Sequence, residues 1–177
     1  MLTISNLEKS SSKKLLVTDV NLTLHEGEIL ALVGEHKSGK SLLTKLILTL
    51  SQKTRGTVKI PANQFIGAFV TKEQLIPTVS VKTIIKDYCK LHDKSYNGKN
   101  VKNILALFNI RNRLNDKVYE LSATEIDLLK IALPLILRTD ILILDAPFSN
   151  LPTKQAKDLR VLLKKISNEL KTSILIT

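Results

Sequence analysis

Apolar positions along the chain fall into two kinds of run. Short stretches rich in Leu, Ile and Val alternate with longer segments in which apolar residues recur at helical spacing. That alternation predicts an α/β fold with a mainly parallel sheet. Residues 2–7 read as a strand, and residues 15–24 as a second, with Val20, Leu22 and Leu24 on one face by the period of two. His25 to Glu28 reads as a turn. Residues 29–33 are unbroken apolar, the pattern of a strand buried on both faces. A Gly-containing loop follows, then a helix with the stripe Leu42, Leu43, Leu46, Ile47 and Leu50. Residues 57–60 and 65–70 are further short strands.

From Pro77 to about Ala123 the pattern changes. Residues 81–91 and 101–108 read as helices separated by polar stretches such as 93–100. This predicts a helical insertion, about 73–124, in an α/β core of about 1–72 and 125–177, the whole chain forming one domain. The helix after Ala123 carries Leu128, Leu129, Ala132 and Leu133, and Pro134 is expected to kink it. Residues 141–144 are a second strand of the buried type. Residues 153–170 form a long amphipathic helix with Ala156, Leu159, Leu163, Ile166 and Leu170 on one face. Residues 173–176 begin one more strand.

Composition adds a few constraints. With 177 residues and 44% apolar content, one hydrophobic core is expected. Aromatics are 4% and Trp is absent, so that core is built from Leu, Ile and Val. The net charge of +11 favours anionic partners, but Lys and Arg are spread without a block, as in any lysine-rich proteome. Cys89 is the single cysteine. It rules out an internal disulfide, lacks the neighbours of a zinc site, and reads as a small buried hydrophobe in a reducing compartment. No apolar run approaches the roughly 20 residues of a membrane span, and the N-terminus has no signal-peptide core. Any membrane role is therefore expected from the cytoplasmic side, through a partner.

The candidate chemistry begins at Gly34-Glu35-His36-Lys37-Ser38-Gly39-Lys40-Ser41, which fits G-x-x-x-x-G-K-[ST] between a buried strand and a helix. The glycines allow backbone conformations that other residues resist. The loop's N–H groups and the helix N-terminus then point at a phosphate. With Leu42, these residues are the candidate nucleotide-binding set. Lys40 is expected to reach the β- and γ-phosphates, and Ser41 to bind Mg²⁺. Lys37 reads as solvated, and His36 as exposed rather than catalytic, because no neighbouring carboxylate orients it. Asp145 ends the apolar strand 141–144, where a P-loop fold places its Mg²⁺-holding carboxylate.

These motifs together resemble the nucleotide-binding domains of ABC transporters. The stretch from Val17 to Gly34, Gly56-Thr57-Val58 after the first helix, Ile66-Gly67, Leu75-Ile76-Pro77 with Ser80-Val81, Leu121-Ser122, and Asp145 to Leu151 carry the likeness. It implies a P-loop NTPase fold: a mainly parallel core, an N-terminal antiparallel β part and an α-helical insertion. It also implies Mg-ATP as ligand and head-to-tail pairing with a second nucleotide-binding domain, as homo- or heterodimer. The remaining implied partner is a membrane permease, engaged from the inner face of the membrane by a groove in the insertion, and nucleic acid is not expected.

The sequence departs from the family at the positions that hydrolyse ATP. Ala146 stands where the catalytic glutamate is expected, and Thr71 where the loop glutamine is expected, with Gln74 three residues on. The signature-like segment reads Leu121, Ser122, Ala123, Thr124, Glu125. It lacks both glycines and brings a negative charge towards a phosphate. Pro152 replaces an aspartate. No aromatic occurs between residues 1 and 64, so Ser10 or Ser11 lies where an adenine-stacking ring is expected. The switch histidine would follow Thr177, which leaves the C-terminal part of the family domain absent. These departures predict nucleotide binding with weak or absent hydrolysis, and permease docking that depends little on ATP. Two further readings remain, a regulatory pseudo-ATPase and a nucleic-acid-linked ABC ATPase.

Overall fold

The computed structural model describes residues 1–11, 14–35, 37–70 and 74–177. Strands β1 (Leu2–Ser11), β2 (Lys14–Leu24) and β4 (Arg55–Lys59) form an antiparallel sheet, while β3 (Ile29–Ala31), β5 (Ile66–Val70), β6 (Ile141–Asp145) and β7 (Ser173–Ile176) form a parallel one. Their orders are β2-β1-β4 and β3-β7-β6-β5. Five α-helices complete the described fold: α1 (Lys40–Ile47), α2 (Val81–Leu91), α3 (Gly98–Leu107), α4 (Ala123–Ile136) and α5 (Thr153–Leu170). The fold is the α/β architecture that the sequence predicts, with a parallel core and an antiparallel N-terminal part.

The period of two along β6 explains both its composition and its function. Ile141 and Ile143 pack on one face with Leu43, Leu46 and Ile47 of α1 and with Leu2, Ile4 and Leu24 of the antiparallel sheet. Leu142 and Leu144 pack on the other with α2, α3, α4 and α5. A strand with a layer on each face has no polar side, so all five of its residues are buried. The same parity puts Asp145 on the α1 face, one step beyond Ile143. β7 is in parallel register with Leu144 opposite Ile176, and Leu175 shares the face of Ile143. Thr177, the next odd position, therefore arrives beside Asp145.

Some expectations change in the structure. The apolar run 29–33 is strand only at Ile29–Ala31, and it sits at the edge of the parallel sheet. Ala31 is exposed and Val33 is 95% exposed, so burial on both faces does not hold there. α1 stops at Ile47 and the chain turns through Thr49 at a φ of 58°, which carries Leu50 off the predicted stripe to an exposed position. Leu170, at the last turn of α5, is half exposed, while Ala156, Leu159, Leu163 and Ile166 are buried as expected. Val20, Leu22 and Leu24 do share a face, but so does Val17. A bulge at Asp19, with φ 43°, shifts the alternation by one. α3 starts at Gly98, inside the predicted polar stretch, because the Asn97 side chain accepts hydrogen bonds from the Lys99 and Asn100 amides, 3.1 Å each.

Pro134 is accommodated within α4. It lies in the last turn, and the helix continues to Ile136. Its carbonyl accepts the Thr139 hydroxyl at 2.5 Å. The proline ring presses on β5 at Gly67, where an added Cβ would fall on Pro134 Cβ and come within 2.8 Å of Thr139 Oγ1. Gly67→Ala is therefore expected to destabilise the fold by about 1–3 kcal/mol, the usual cost of overpacking. Urea denaturation measures it, and an unchanged midpoint would show that α4 can move aside.

The helices between β5 and β6 are tied by their own ends. Ser80 caps α2 by accepting from the Thr83 amide at 3.2 Å. Residues 77–82 and 114–119 are laced by backbone bonds, including Val118 N–H to Val79 and Val81 N–H to Asp116. Cys89 is buried among these helices, and burial raises its thiol pKa. Among the described residues, no helix is long and apolar enough to cross a membrane.

Candidate functional site

The loop between β3 and α1 is shaped by two glycines. Gly39 precedes α1 at a φ of 95°, and its carbonyl accepts the Leu43 amide at 2.8 Å. A Cβ there would come within 3.2 Å of the Leu16 carbonyl on β2. At Gly34 a Cβ would lie 2.9 Å from Ser38 Oγ, inside the loop's concavity. The Lys40 ammonium closes the loop, donating to the carbonyls of Gly34 and Glu35 at 2.7 Å each and to Ser38 Oγ at 3.1 Å. Lys37 takes a φ of 63° and is exposed, in line with its solvated reading. Gly39 offers no side-chain cap to α1, and the helix has no acidic residue in its first turn. Its first amides thus face outward as a positive end suited to an anion.

At the mouth of the loop, three oxygen-bearing side chains meet. Ser41 Oγ donates to Asp145 Oδ1 at 2.8 Å, and Thr177 Oγ1 donates to the same oxygen at 2.8 Å. The Ala146 amide donates to Thr177 Oγ1 at 3.1 Å. Because Ser41 spends its proton on Asp145, its lone pairs are left for a cation. Hard oxygens of this kind suit Mg²⁺, which takes few protein ligands. The surrounding groove of about 620 Å³ is lined by Leu16, Lys37 to Leu42, Ala146, Ser149 and Thr177. The residues present thus fit a Mg-nucleotide: a glycine cradle, a cation, a helix N-terminus and a Ser–Asp pair.

The structure brings Gly34, Glu35, Lys37, Ser38, Gly39, Lys40, Ser41, Leu42 and Asp145 together around this loop. His36 and Thr71 lie outside the described residues. Ala146 adjoins the groove at a φ of 51°, with its carbonyl accepting from Ser149 N–H and Ser149 Oγ. Its side chain is a methyl group, which accepts no proton. Leu16 and Thr177 escape a motif-based reading. The signal for Thr177 is its parity on a strand neighbouring β6; nothing in the sequence sets Leu16 apart from its apolar neighbours Leu15 and Val17.

The segment 121–125 does not line this groove. It borders a separate one of about 550 Å³ with Phe108, Lys154 and Asp158. Ser122 is the N-cap of α4. Its hydroxyl accepts the Glu125 amide at 3.2 Å, and the Glu125 carboxylate accepts the Ser122 amide and hydroxyl at 2.8 and 2.9 Å. Arg113 Nε completes the arrangement at 2.7 Å from Glu125 Oε1, and Arg113 also bonds Asp116. The charge expected to oppose a phosphate is thus folded back and neutralised within the chain.

Burial of the Glu125 carboxyl opposes its ionisation, but the Ser122 amide, the Arg113 guanidinium and the Ser122 hydroxyl outweigh it and hold its pKa below the usual range. A carboxyl lowered in the folded state contributes stability above its unfolded pKa, and that contribution is lost as pH falls through the folded value. Glu125→Gln keeps the cap and removes the charge, so it is expected to cost about 0.5–1 kcal/mol at pH 7, the range of part-exposed ion pairs. The gap should shrink once pH drops below about 4.3, the ordinary glutamate value. Denaturant titrations at pH 7 and in acid test this; a gap unchanged in acid contradicts it.

Comparison with known proteins follows the same line. The family model described as ABC transporter matches residues 17–149. The uncharacterized ABC transporter ATP-binding protein YdbJ of Bacillus subtilis is 26% identical, over 99% of this chain and 60% of YdbJ. The lipoprotein-releasing system ATP-binding protein LolD of Wigglesworthia glossinidia brevipalpis is also 26% identical, over 98% of this chain and 83% of LolD. The dimeric structure of the bacterial ABC transporter cassette MJ0796 shares the fold with a TM-score of 0.85 at 23% identity, covering 99% of this chain and 87% of that one. The matched region runs from β2, through the phosphate loop, to Ser149 beside Ala146, and so takes in the whole Ser41–Asp145 site: the chain belongs to the ABC transporter family.

Proposed function

We propose that this chain is an ATP-binding subunit of an ABC-type transporter that binds Mg-ATP and hydrolyses it weakly or not at all. The observation that carries the reading is the Ser41–Asp145 hydrogen bond at 2.8 Å, at the mouth of a glycine-shaped loop closed by Lys40. In this reading the loop amides and the α1 N-terminus hold the β-phosphate. Lys40 exchanges its loop carbonyls for phosphate oxygens, and Ser41 and Asp145 hold the metal. Bound Mg²⁺ would supply neutralisation of the phosphate charge. Leu16, rather than Ser10 or Ser11, lines the groove and offers an apolar edge to the base.

The absence of a carboxylate at Ala146 supports weak hydrolysis. A second nucleotide-binding domain, as homo- or heterodimer, is the partner suggested by the dimeric cassette that shares this fold. A groove of about 250 Å³ between α2, α4 and residues 74–79 is a candidate seat for a short permease helix. It is lined by Ile76, Ile84, Tyr88 and Leu91, and Ile76 and Leu91 are 64% and 80% exposed. Such docking places the chain at the inner face of the membrane. Thermal melting with and without Mg-ATP tests the core of this reading. A ligand that binds only the native state must raise the melting temperature, and no shift at millimolar Mg-ATP would overturn it.

A further inference from the structure

We infer that Thr177 is a positioning residue of the Mg-nucleotide site, acting through Asp145 and the Ala146 backbone. The inference rests on the Mg-nucleotide reading of the groove and adds a residue that the phosphate-loop and strand-end motifs leave out. The hydroxyl is used in two ways. It donates its proton to Asp145 Oδ1 at 2.8 Å, the same oxygen that receives Ser41. It accepts the Ala146 amide at 3.1 Å. One lone pair is left, and Thr177 lines the groove.

The hydroxyl is held from its own strand as well. The Thr177 amide donates to the Leu144 carbonyl at 3.0 Å, which continues the β6–β7 register by one residue. Two strands thus bring Thr177 and Asp145 to the same place. The hydroxyl fixes the carboxylate's orientation towards Ser41, and it satisfies the amide of a residue held at a left-handed φ of 51°. Partners that orient metal-holding groups carry a share of metal affinity: their loss typically costs about 10–100-fold.

The assay is calorimetric titration of the whole chain with ATP, once with excess Mg²⁺ and once with EDTA. The ratio of the two dissociation constants is the gain due to the metal. Thr177→Val keeps the shape and removes the hydroxyl. It is expected to lose about tenfold or more of that gain while ATP binding in EDTA stays as in the parent chain. Thr177→Ser restores the hydroxyl and is expected to keep the gain. The inference is overturned if Thr177→Val retains the full gain, or if it weakens binding equally with and without the metal, as a merely structural residue would. If the valine variant does not fold, the serine variant decides: loss of the gain with the hydroxyl present refutes the inference. A parent chain that binds ATP but gains nothing from Mg²⁺ refutes it too. A parent chain that binds no nucleotide in either condition refutes the nucleotide reading itself.

Discussion

Purified chain incubated with Mg-ATP is expected to release phosphate at close to the uncatalysed rate. Hydrolysis needs a group that takes a proton from the attacking water. The position next to Asp145 holds Ala146, whose methyl accepts nothing and whose amide and carbonyl are already bonded to Thr177 and Ser149. Loss of a general base typically costs about 10²–10⁴ in rate, or about 3–5 kcal/mol of barrier. Ala146→Glu is expected to recover less than about tenfold of that loss. Ala146 already sits at a left-handed φ, where any side chain other than glycine carries a cost of about 1–2 kcal/mol, so backbone strain is not the obstacle. The remaining obstacles are those the family resemblance implies: Thr71 in place of the loop glutamine, and segment 121–125, which a head-to-tail dimer would present to its partner's nucleotide. That segment has no glycine to let a phosphate approach the helix, and Ser122 and Glu125 already satisfy each other across the first turn of α4. Steady-state phosphate release measures both proteins. Turnover near the enzyme median of about 10 s⁻¹ in the parent chain would mean that another group serves as base.

Lys40→Ala is expected to remove most nucleotide binding. The substitution deletes the cation aimed at the phosphates, a charge-assisted contact worth about 1.5–3 kcal/mol. In the free chain that ammonium is held by Gly34, Glu35 and Ser38. Its loss gives up to roughly a hundredfold loss of affinity at 1.4 kcal/mol per tenfold. At a nucleotide concentration near 100 times the dissociation constant, the parent chain gains about 2.7 kcal/mol. For a chain of this size that is a rise of about 5–10 °C in melting temperature. The variant at the same concentration gains only about 0.4 kcal/mol by the same relation, about 1 °C. An equal rise in both proteins would place the nucleotide elsewhere.

Much of this arrangement is legible in the residues. β6 is four apolar residues closed by Asp145, and β7 is a short apolar run that Thr177 follows. α2 and α5 are legible to the residue because their apolar spacing runs unbroken. The Ser41–Asp145 contact is the one expected of an acid ending a strand beside a P-loop. What escapes the sequence has local causes. The edge position of β3 depends on strand order, which the run 29–33 does not encode. The slip in β2 comes from a single positive φ at Asp19. The neutralisation of Glu125 depends on Arg113, twelve residues away across an irregular turn. Thr177 escapes because a lone threonine is no motif; only the pairing of β6 with β7 gives it a place in the site.

The chain is expected to hold Mg-ATP without consuming it. The direct measurement is to incubate the chain with radiolabelled Mg-ATP, separate the protein from free nucleotide by rapid gel filtration, and identify what stays bound. Retained nucleotide that is ATP after many minutes is the predicted result. Retained ADP would contradict the claim that the Ala146 site lacks a base, and an empty protein would contradict nucleotide binding at the Lys40 loop.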